Sequence, residues 1–212
     1  MGKKMLRGSV ALFLFFFLLL PTAPGFAQER VPLRVARVPM QVLWGGALTR
    51  EGLEALETKM GRALHVPLNG VLQWVEYLPE EETLAALRQV MAELRQGNSK
   101  ARLKDAMKPL AEKLEADLVV CPVIEYYHQD TYWGFWNGET ILHSDVRISL
   151  MGYQKGKRTP FSETESRFYR GSYSSWGLAD VLAEECMDKV IEETGIRGMI
   201  RGGRDIEGGN RG

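Results

Sequence analysis

Hydrophobic positions recur at two different spacings along the chain, and both occur in the stretch from 103 to 127. Apolar residues at helical spacing fill its first half, at Leu103, Ala106, Met107, Leu110, Ala111 and Leu114. The second half, LVVCPVIEYY from Leu118, is rich in β-branched residues and tyrosine and is too short to span a membrane, so it predicts a buried strand. A helix that leads directly into a buried strand is typical of an α/β layer.

The same two spacings predict the other elements. Before the central helix and strand, the chain predicts a strand from Leu33 to about Val42 interrupted by Pro39, a helix capped by Thr49 and stopped by Pro67, a strand from Val71 to Leu78 covered on both sides, and a helix from Glu80 to Gly97. After them it predicts a loop or hairpin tip from His128 to Glu139 and two strands, from Leu142 to Leu150 and from Phe161 to Arg170. The last element is a helix capped by Ser174 or Ser175 and ended by Gly195. This order predicts one α/β (α+β) domain with a single mixed sheet of about five strands, helices packed on it, and a C-terminal helix after a β-hairpin. The innermost strand is expected to contain Val119 and Val120.

The last two strands carry charges that suggest a register. If their hairpin is centred on Gly156, Asp145 lies opposite Arg167 and Arg147 lies opposite Glu165. A slip by one residue loses both opposite-charge pairs. We therefore predict that register.

The two ends of the chain differ in composition from the middle. Residues 1–27 combine a basic start, an apolar run of about 11 residues from Val10 to Leu20, and small residues at Gly25 and Ala27, which predicts a signal peptide cleaved before Gln28. An uncleaved anchor is the alternative, although a membrane-spanning helix needs about 20 apolar residues. Residues 28–196 are expected to form the single domain, and the Gly- and Arg-rich residues 197–212 a disordered tail. The mature chain is thus expected to lie in the periplasm or to be secreted, without a transmembrane segment.

Charge and cysteine content narrow the function classes. Residues 28–212 contain 24 Lys and Arg against 27 Asp and Glu, a formal net charge of −3, which offers no basic surface for nucleic acid. The only cysteines are Cys121 and Cys186. Both fall on apolar patterns, which favours two separate buried thiols, while a disulfide requires their Cα atoms to lie within about 7 Å.

Residues able to support catalysis are few. His128 with Asp130, or His143 with Asp145, could orient a general base, and Ser172, Ser174 and Ser175 are possible nucleophiles. Helix capping explains these serines, and the chain lacks the usual zinc, phosphate-loop and dinucleotide motifs. The sequence therefore predicts no metal and no cofactor, and leans against an enzyme.

A cluster of aromatic residues is the most distinctive feature. Tyr132, Trp133, Phe135 and Trp136 lie within five positions, next to Gly134 and Gly138. Such side chains can anchor a protein partner or stack on sugar rings, because they combine a large apolar area with polar groups. They could equally fold back over one end of the sheet as a minor core.

The first strand with Pro39, and above all LAEKLEADLVVCPVIEYY from Leu110, resemble the amino-terminal domain of TolB and its relatives. These relatives include the curli-secretion lipoproteins and the lipoproteins that activate penicillin-binding proteins. In element order the resemblance covers Leu33 to Glu193. It implies an α/β domain of the cell envelope that docks to other proteins without cofactor or catalytic residues. The chain also resembles short exported proteins of unassigned function in diderm Firmicutes.

Three functional hypotheses follow. The first is a non-catalytic exported domain that binds another envelope protein through the four aromatic side chains. The second is a module that binds carbohydrate or peptidoglycan through the same residues. The third is a hydrolase that uses His128 with Asp130 or a nearby serine.

Overall fold

The computed structural model describes residues 31–71, 74–135 and 138–201. The strands are β1 (Leu33–Arg37), β2 (Gln41–Val42), β3 (Val75–Tyr77), β4 (Leu118–Gly134), β5 (Glu139–Gln154) and β6 (Phe161–Ser172). The helices are α1 (Arg50–Leu64), α2 (Glu80–Gly97), α3 (Leu103–Leu114), α4 (Ala179–Thr194) and α5 (Ile196–Arg201), with a 3-10 turn at Ser175–Gly177. All of them belong to one compact unit that begins at Pro32. The predicted signal peptide, 1–27, lies outside the described residues.

The strands form one six-stranded mixed sheet in the order β3-β1-β4-β5-β6, with β2 also paired to β4. β1 runs parallel to β3 and β4, and β2 also runs parallel to β4. The long strands β4, β5 and β6 are antiparallel. β4 is thus the central strand, and Val119 and Val120 in it are fully buried. The predicted fold class is confirmed.

Helices cover both sides of the sheet and create two separate cores. On one side α1, α4 and α5 pack against β-strand residues such as Val35 and Val120. On the other side α2 and α3 pack against neighbours in the same strands, such as Ala36 and Val119. This arrangement follows from the alternation of side chains along a strand, which sends successive apolar residues to opposite cores.

The two cysteines lie on opposite sides of the sheet. Cys121 belongs to the core under α2 and α3, whereas Cys186 belongs to the core under α1 and α4. Both are buried free thiols, as expected from the apolar patterns.

The first strands differ from their predicted form. Pro39 divides the predicted strand into β1 and β2, because a proline has no N–H for the hydrogen-bond ladder. The strand expected from Val71 to Leu78 is shorter, at Val75–Tyr77, and forms an edge of the sheet. The prediction that both its faces are covered is wrong, since Tyr77 is 43% exposed.

Two of the three predicted capping residues in this part of the chain lie at the expected helix ends. Thr49 caps α1 as predicted, accepting a hydrogen bond from the Gly52 N–H at 3.0 Å. Ser174 caps the 3-10 turn rather than α4. Gly195 ends α4 in the left-handed conformation, with φ of 63°.

The segment expected to be disordered from 197 is helical as far as Arg201. It forms α5, in which Ile196 and Ile200 are buried against the core under α1 and α4. Burial of these two isoleucines offsets the entropic cost of ordering a glycine-rich segment. Residues 202–212 lie outside the described part of the chain. No helix within the described ranges is long and apolar enough to cross a membrane.

The predicted register between β5 and β6 is wrong by one residue. Asp145 lies opposite Phe168, and Arg147 lies opposite Ser166. Arg167 instead points to the side of the sheet covered by α4, where its guanidinium contacts the carboxylates of Glu165 and Glu185. One ion pair within β6 and one to α4 thus replace the cross-strand pairs that the sequence suggested.

Gly152 allows close packing between three strands. A Cβ atom built at Gly152 would lie 2.1 Å from the Val119 carbonyl oxygen and 2.5 Å from the Phe161 ring. Because backbone cannot yield as a flexible side chain can, we expect Gly152→Ala to lower the free energy of unfolding by at least about 1–3 kcal/mol. Denaturant titration measures this loss. Gly97→Ala is the matched control, since its Cβ meets nothing within 4 Å, and unchanged stability in Gly152→Ala would contradict the packing.

The Cys121 thiol makes stability depend on pH. Burial raises its pKa from 9.0 to about 12. The unfolded chain therefore loses this proton from about pH 9 while the folded chain keeps it, so stability falls as the pH rises from about 9 towards 12. Cys121→Ala lacks this titration. We expect Cys121→Ala to have a lower free energy of unfolding than wild type at pH 8. This difference between the two proteins should be about 1.4 kcal/mol smaller at pH 10. A deficit that stays constant would show that the thiol is accessible to water.

Candidate functional site

An extra residue in β4 decides which side chains the second half of this strand presents. The pairing between β4 and β5 shifts between Ile124 and Tyr126, so Glu125 has no partner of its own and forms a β-bulge. The Glu125 carboxylate accepts a hydrogen bond from the Ser149 hydroxyl, which also contacts the Thr164 hydroxyl at 2.7 Å. Beyond the bulge, the odd-numbered and even-numbered side chains of β4 therefore exchange faces of the sheet.

As a result, even-numbered residues of β4 beyond the bulge share a face with even-numbered residues of β6 and odd-numbered residues of β5. We call this surface the open face. Its members are Tyr126, His128, Asp130 and Tyr132 of β4, Ile141, His143, Asp145 and Arg147 of β5, and Phe168 and Arg170 of β6. The core under α2 and α3 reaches only Val123 on β4 and Met151 on β5. All members of the open face are half-buried or exposed.

Aromatic and imidazole rings form a continuous row across the open face. Trp44, which follows β2, stacks on Tyr126 with ring centroids 4.4 Å apart and planes at 9°. His128 lies 5.7 Å from Trp44 and 5.4 Å from His143, and Phe168 follows at 5.3 Å from His143. The row joins β2, β4, β5 and β6, and the two histidines lie at its centre.

Asp130 joins the two histidines. Its Oδ1 atom lies 3.3 Å from Nε2 of His128 and 3.0 Å from Nδ1 of His143. The two histidines are about one-third exposed and Asp130 about half exposed. The ligand atoms of all three residues lie within 4.8 Å of one another. The strand alternation creates this group: His128 and Asp130 are two apart on β4, and His143 lies directly opposite Asp130 on β5.

The other face of the same strand is tied to α4. The Tyr127 hydroxyl donates a hydrogen bond to Oδ1 of Asp180, and the Gln129 side-chain oxygen accepts one from the Ala179 N–H at 2.7 Å. Burial raises the pKa of Tyr127, and its hydrogen bond to the Asp180 carboxylate raises the pKa further. Tyr127 thus stays a neutral donor. These bonds fix the position of the strand whose opposite face carries His128 and Asp130.

Three of the four aromatic residues singled out in the sequence, Tyr132, Trp133 and Phe135, lie within the described residues. His128 to Gly134 belong to β4, whose pairing with β5 continues to Gly134 opposite Glu139, so the predicted loop or hairpin tip is shorter than expected and its first half is strand. Tyr132 lies on the open face, where its hydroxyl accepts a hydrogen bond from Arg170 at 2.9 Å. Trp133 points to the opposite side, and Phe135 lies in the turn. Trp136 lies outside the described residues.

The minor-core reading does not fit the residues that the structure describes. Trp133 is 65% exposed and Phe135 is 85% exposed, while Tyr132 is 38% exposed. The end of the hairpin formed by β4 and β5 therefore carries aromatic surface in contact with water.

Sequence reasoning missed several members of the open face. It paired His143 with Asp145 along one strand, whereas the structure places His143 against Asp130 of the next strand. It also gave no role to Trp44 and Phe168. The available signal was the His-x-Asp spacing on both strands, His128 to Asp130 and His143 to Asp145, but the prediction of a loop or hairpin tip at His128 hid it.

The serines named as possible nucleophiles have other positions and partners than the hydrolase hypothesis requires. Within the described ranges, no serine hydroxyl is hydrogen-bonded to either histidine of the open face. Ser172 instead donates to Glu139 at 2.6 Å, and the Ser174 hydroxyl accepts from the Trp176 N–H at 3.3 Å.

No family model matches the chain, and no curated protein matches it. Solved structures similar to it include a hypothetical protein from Chlamydia trachomatis, at 12% identity and a TM-score of 0.40, over 80% of this chain and 98% of that one. The PelC dodecamer from Paraburkholderia phytofirmans has 12% identity and a TM-score of 0.36, over 76% of this chain and 86% of that one. A lipoprotein from Neisseria meningitidis has 14% identity and a TM-score of 0.34, over 76% and 99%. At such low TM-scores these likenesses carry no statement about function, and the resemblance to the TolB amino-terminal domain stays a prediction.

Proposed function

We propose that the protein is a non-catalytic domain of the cell envelope that binds another envelope protein through the end of the β4–β5 hairpin. The observation that carries this proposal is the exposure of two large aromatic side chains, Trp133 and Phe135, at 65% and 85%. They lie at the end of two strands that are paired from Leu118 to Gly134.

Exposed aromatic side chains on paired backbone are well suited to binding. Burying a side chain of this size contributes about 1.5–3 kcal/mol. Because the hairpin already fixes the backbone of Trp133, little further ordering is needed when a partner covers it. Tyr132 is held by Arg170 and adds a hydrogen-bonding group beside the apolar surface. Trp136, in the same turn sequence, is part of the proposed contact on sequence grounds alone.

The envelope location rests on the sequence. The basic start, the apolar run and the small residues before Gln28 support export, and the resemblance around LAEKLEADLVVCPVIEYY supports a domain that docks to envelope proteins. A partner protein is favoured over a glycan because apolar side chains point to both sides of the hairpin. A sugar ring needs only one planar face.

Removing Trp133 and Phe135 tests the proposal. We expect the Trp133→Ala/Phe135→Ala variant to keep its stability within about 0.5 kcal/mol, because neither side chain is core. Capture of the wild-type chain's envelope partner should fall at least about 30-fold, as for a hot spot worth about 2 kcal/mol. The measurement is quantitative affinity purification from envelope fractions, with unfolding followed by circular dichroism.

Trp74→Ala is the matched control. Trp74 is 55% exposed and lies beside β3, an edge strand that β1 separates from β4, so its removal should leave capture unchanged. Equal capture by the hairpin variant and wild type would refute the proposal, as would unfolding of that variant. Sedimentation of the pure chain with protein-free sacculi, lost on the same substitutions, would favour the carbohydrate-binding alternative instead.

A further inference from the structure

We infer that His128, Asp130 and His143 form a binding site for a divalent transition-metal ion, with Zn²⁺ as the expected occupant. The inference does not depend on the proposed function, since these residues lie on the open face and not at the end of the hairpin. It rests on the separation of their ligand atoms, on the ligand chemistry and on the rigid placement of all three by two paired strands.

The separations fit a metal ion. Two ligands held about 2.0–2.2 Å from a tetrahedral ion lie about 3.3–3.6 Å apart. Oδ1 of Asp130 lies 3.3 Å from Nε2 of His128 and 3.0 Å from Nδ1 of His143. No two ligand atoms in the group are more than 4.8 Å apart. All three side chains are partly exposed, so an ion can reach them from solvent.

The donor set selects the class of metal. Two imidazoles and one carboxylate suit Zn²⁺ and its neighbours in the first transition row, whereas Mg²⁺ and Ca²⁺ prefer oxygen ligands alone. Three protein ligands leave a fourth position of a tetrahedral ion open to water or to an incoming group.

The surrounding charges are compatible with a cation. Asp145 lies opposite His128 in the strand pairing and adds a second carboxylate to the same face. Arg170 lies opposite His143, but its guanidinium is bonded to the Tyr132 hydroxyl at 2.9 Å and lies over the Tyr132 ring. The cysteines do not compete in the folded chain, because Cys121 and Cys186 are fully buried.

Titration with Zn²⁺ tests the site. The full chain is purified without a polyhistidine tag, dialysed against a chelator and titrated by calorimetry. We expect one ion per chain, and affinity weakened at least about 10-fold in Asp130→Asn and in His143→Gln, since even outer-shell changes at zinc sites cost about 10–100-fold. His65→Gln is the matched control, because His65 is exposed at the end of α1, away from the open face. Its affinity should equal that of wild type.

Two further readouts keep the test independent of how well the variants fold. Co²⁺ bound to the wild-type chain should give the visible spectrum of nitrogen and oxygen ligation without thiolate charge-transfer bands. Zn²⁺ should also raise the unfolding midpoint of wild type, and raise that of Asp130→Asn less. The absence of saturable Zn²⁺ binding would overturn the inference and leave Asp130 as an ion-pair partner of the two histidines. Equal affinity in the two ligand variants, or a thiolate band, would overturn it as well.

Discussion

The surface of this protein depends on one backbone irregularity, the unpaired residue Glu125 in the middle of its longest strand. Side chains alternate along a strand with a period of two, so one inserted residue reverses every assignment beyond it. Before the bulge, Val119 and Val123 point towards α2 and α3. After it, Tyr127 points to the opposite core, while His128 points outwards. The bond from the Ser149 hydroxyl to the Glu125 carboxylate gives the extra residue a partner on the neighbouring strand.

The bulge acts together with unequal coverage of the two sides of the sheet. On one side, the core under α1 and α4 extends as far as Tyr127 on β4 and Val146 on β5, and Tyr127 and Gln129 bond to the first residues of α4. On the other side, the core ends near Val123 and Met151. The second half of β4 and β5 therefore packs against α4 on one face and is open to solvent on the other. This combination produces ordered polar and aromatic groups in contact with solvent, which both the proposed docking contact and the proposed metal site require.

The sequence predicted the parts that local rules and burial determine. The helical stripe from Leu103 and the buried run around Val119 gave the correct layer and the correct central strand, because both depend on apolar periodicity. It failed where structure depends on contacts between distant segments. The polar, aromatic residues from His128 to Trp133 resemble a loop in isolation, and only pairing with β5 makes them a strand. The register of β6 failed for the same reason, since Arg167 bonds to Glu185 of α4 rather than across the hairpin. The contact between Asp130 and His143 joins two strands, so the pattern within either strand alone could not predict it.

Thiol labelling on either side of the bulge tests this account most directly. Tyr127→Cys and His128→Cys are compared in chains shown to be folded by circular dichroism, where the buried native thiols Cys121 and Cys186 contribute no reaction. With Glu125 bulged, the thiol at 128 should react at least about 100-fold faster than the thiol at 127, because the latter is exposed only by local opening. Fast labelling at 127 with protection at 128 would show that β4 continues without the bulge, and would contradict the account.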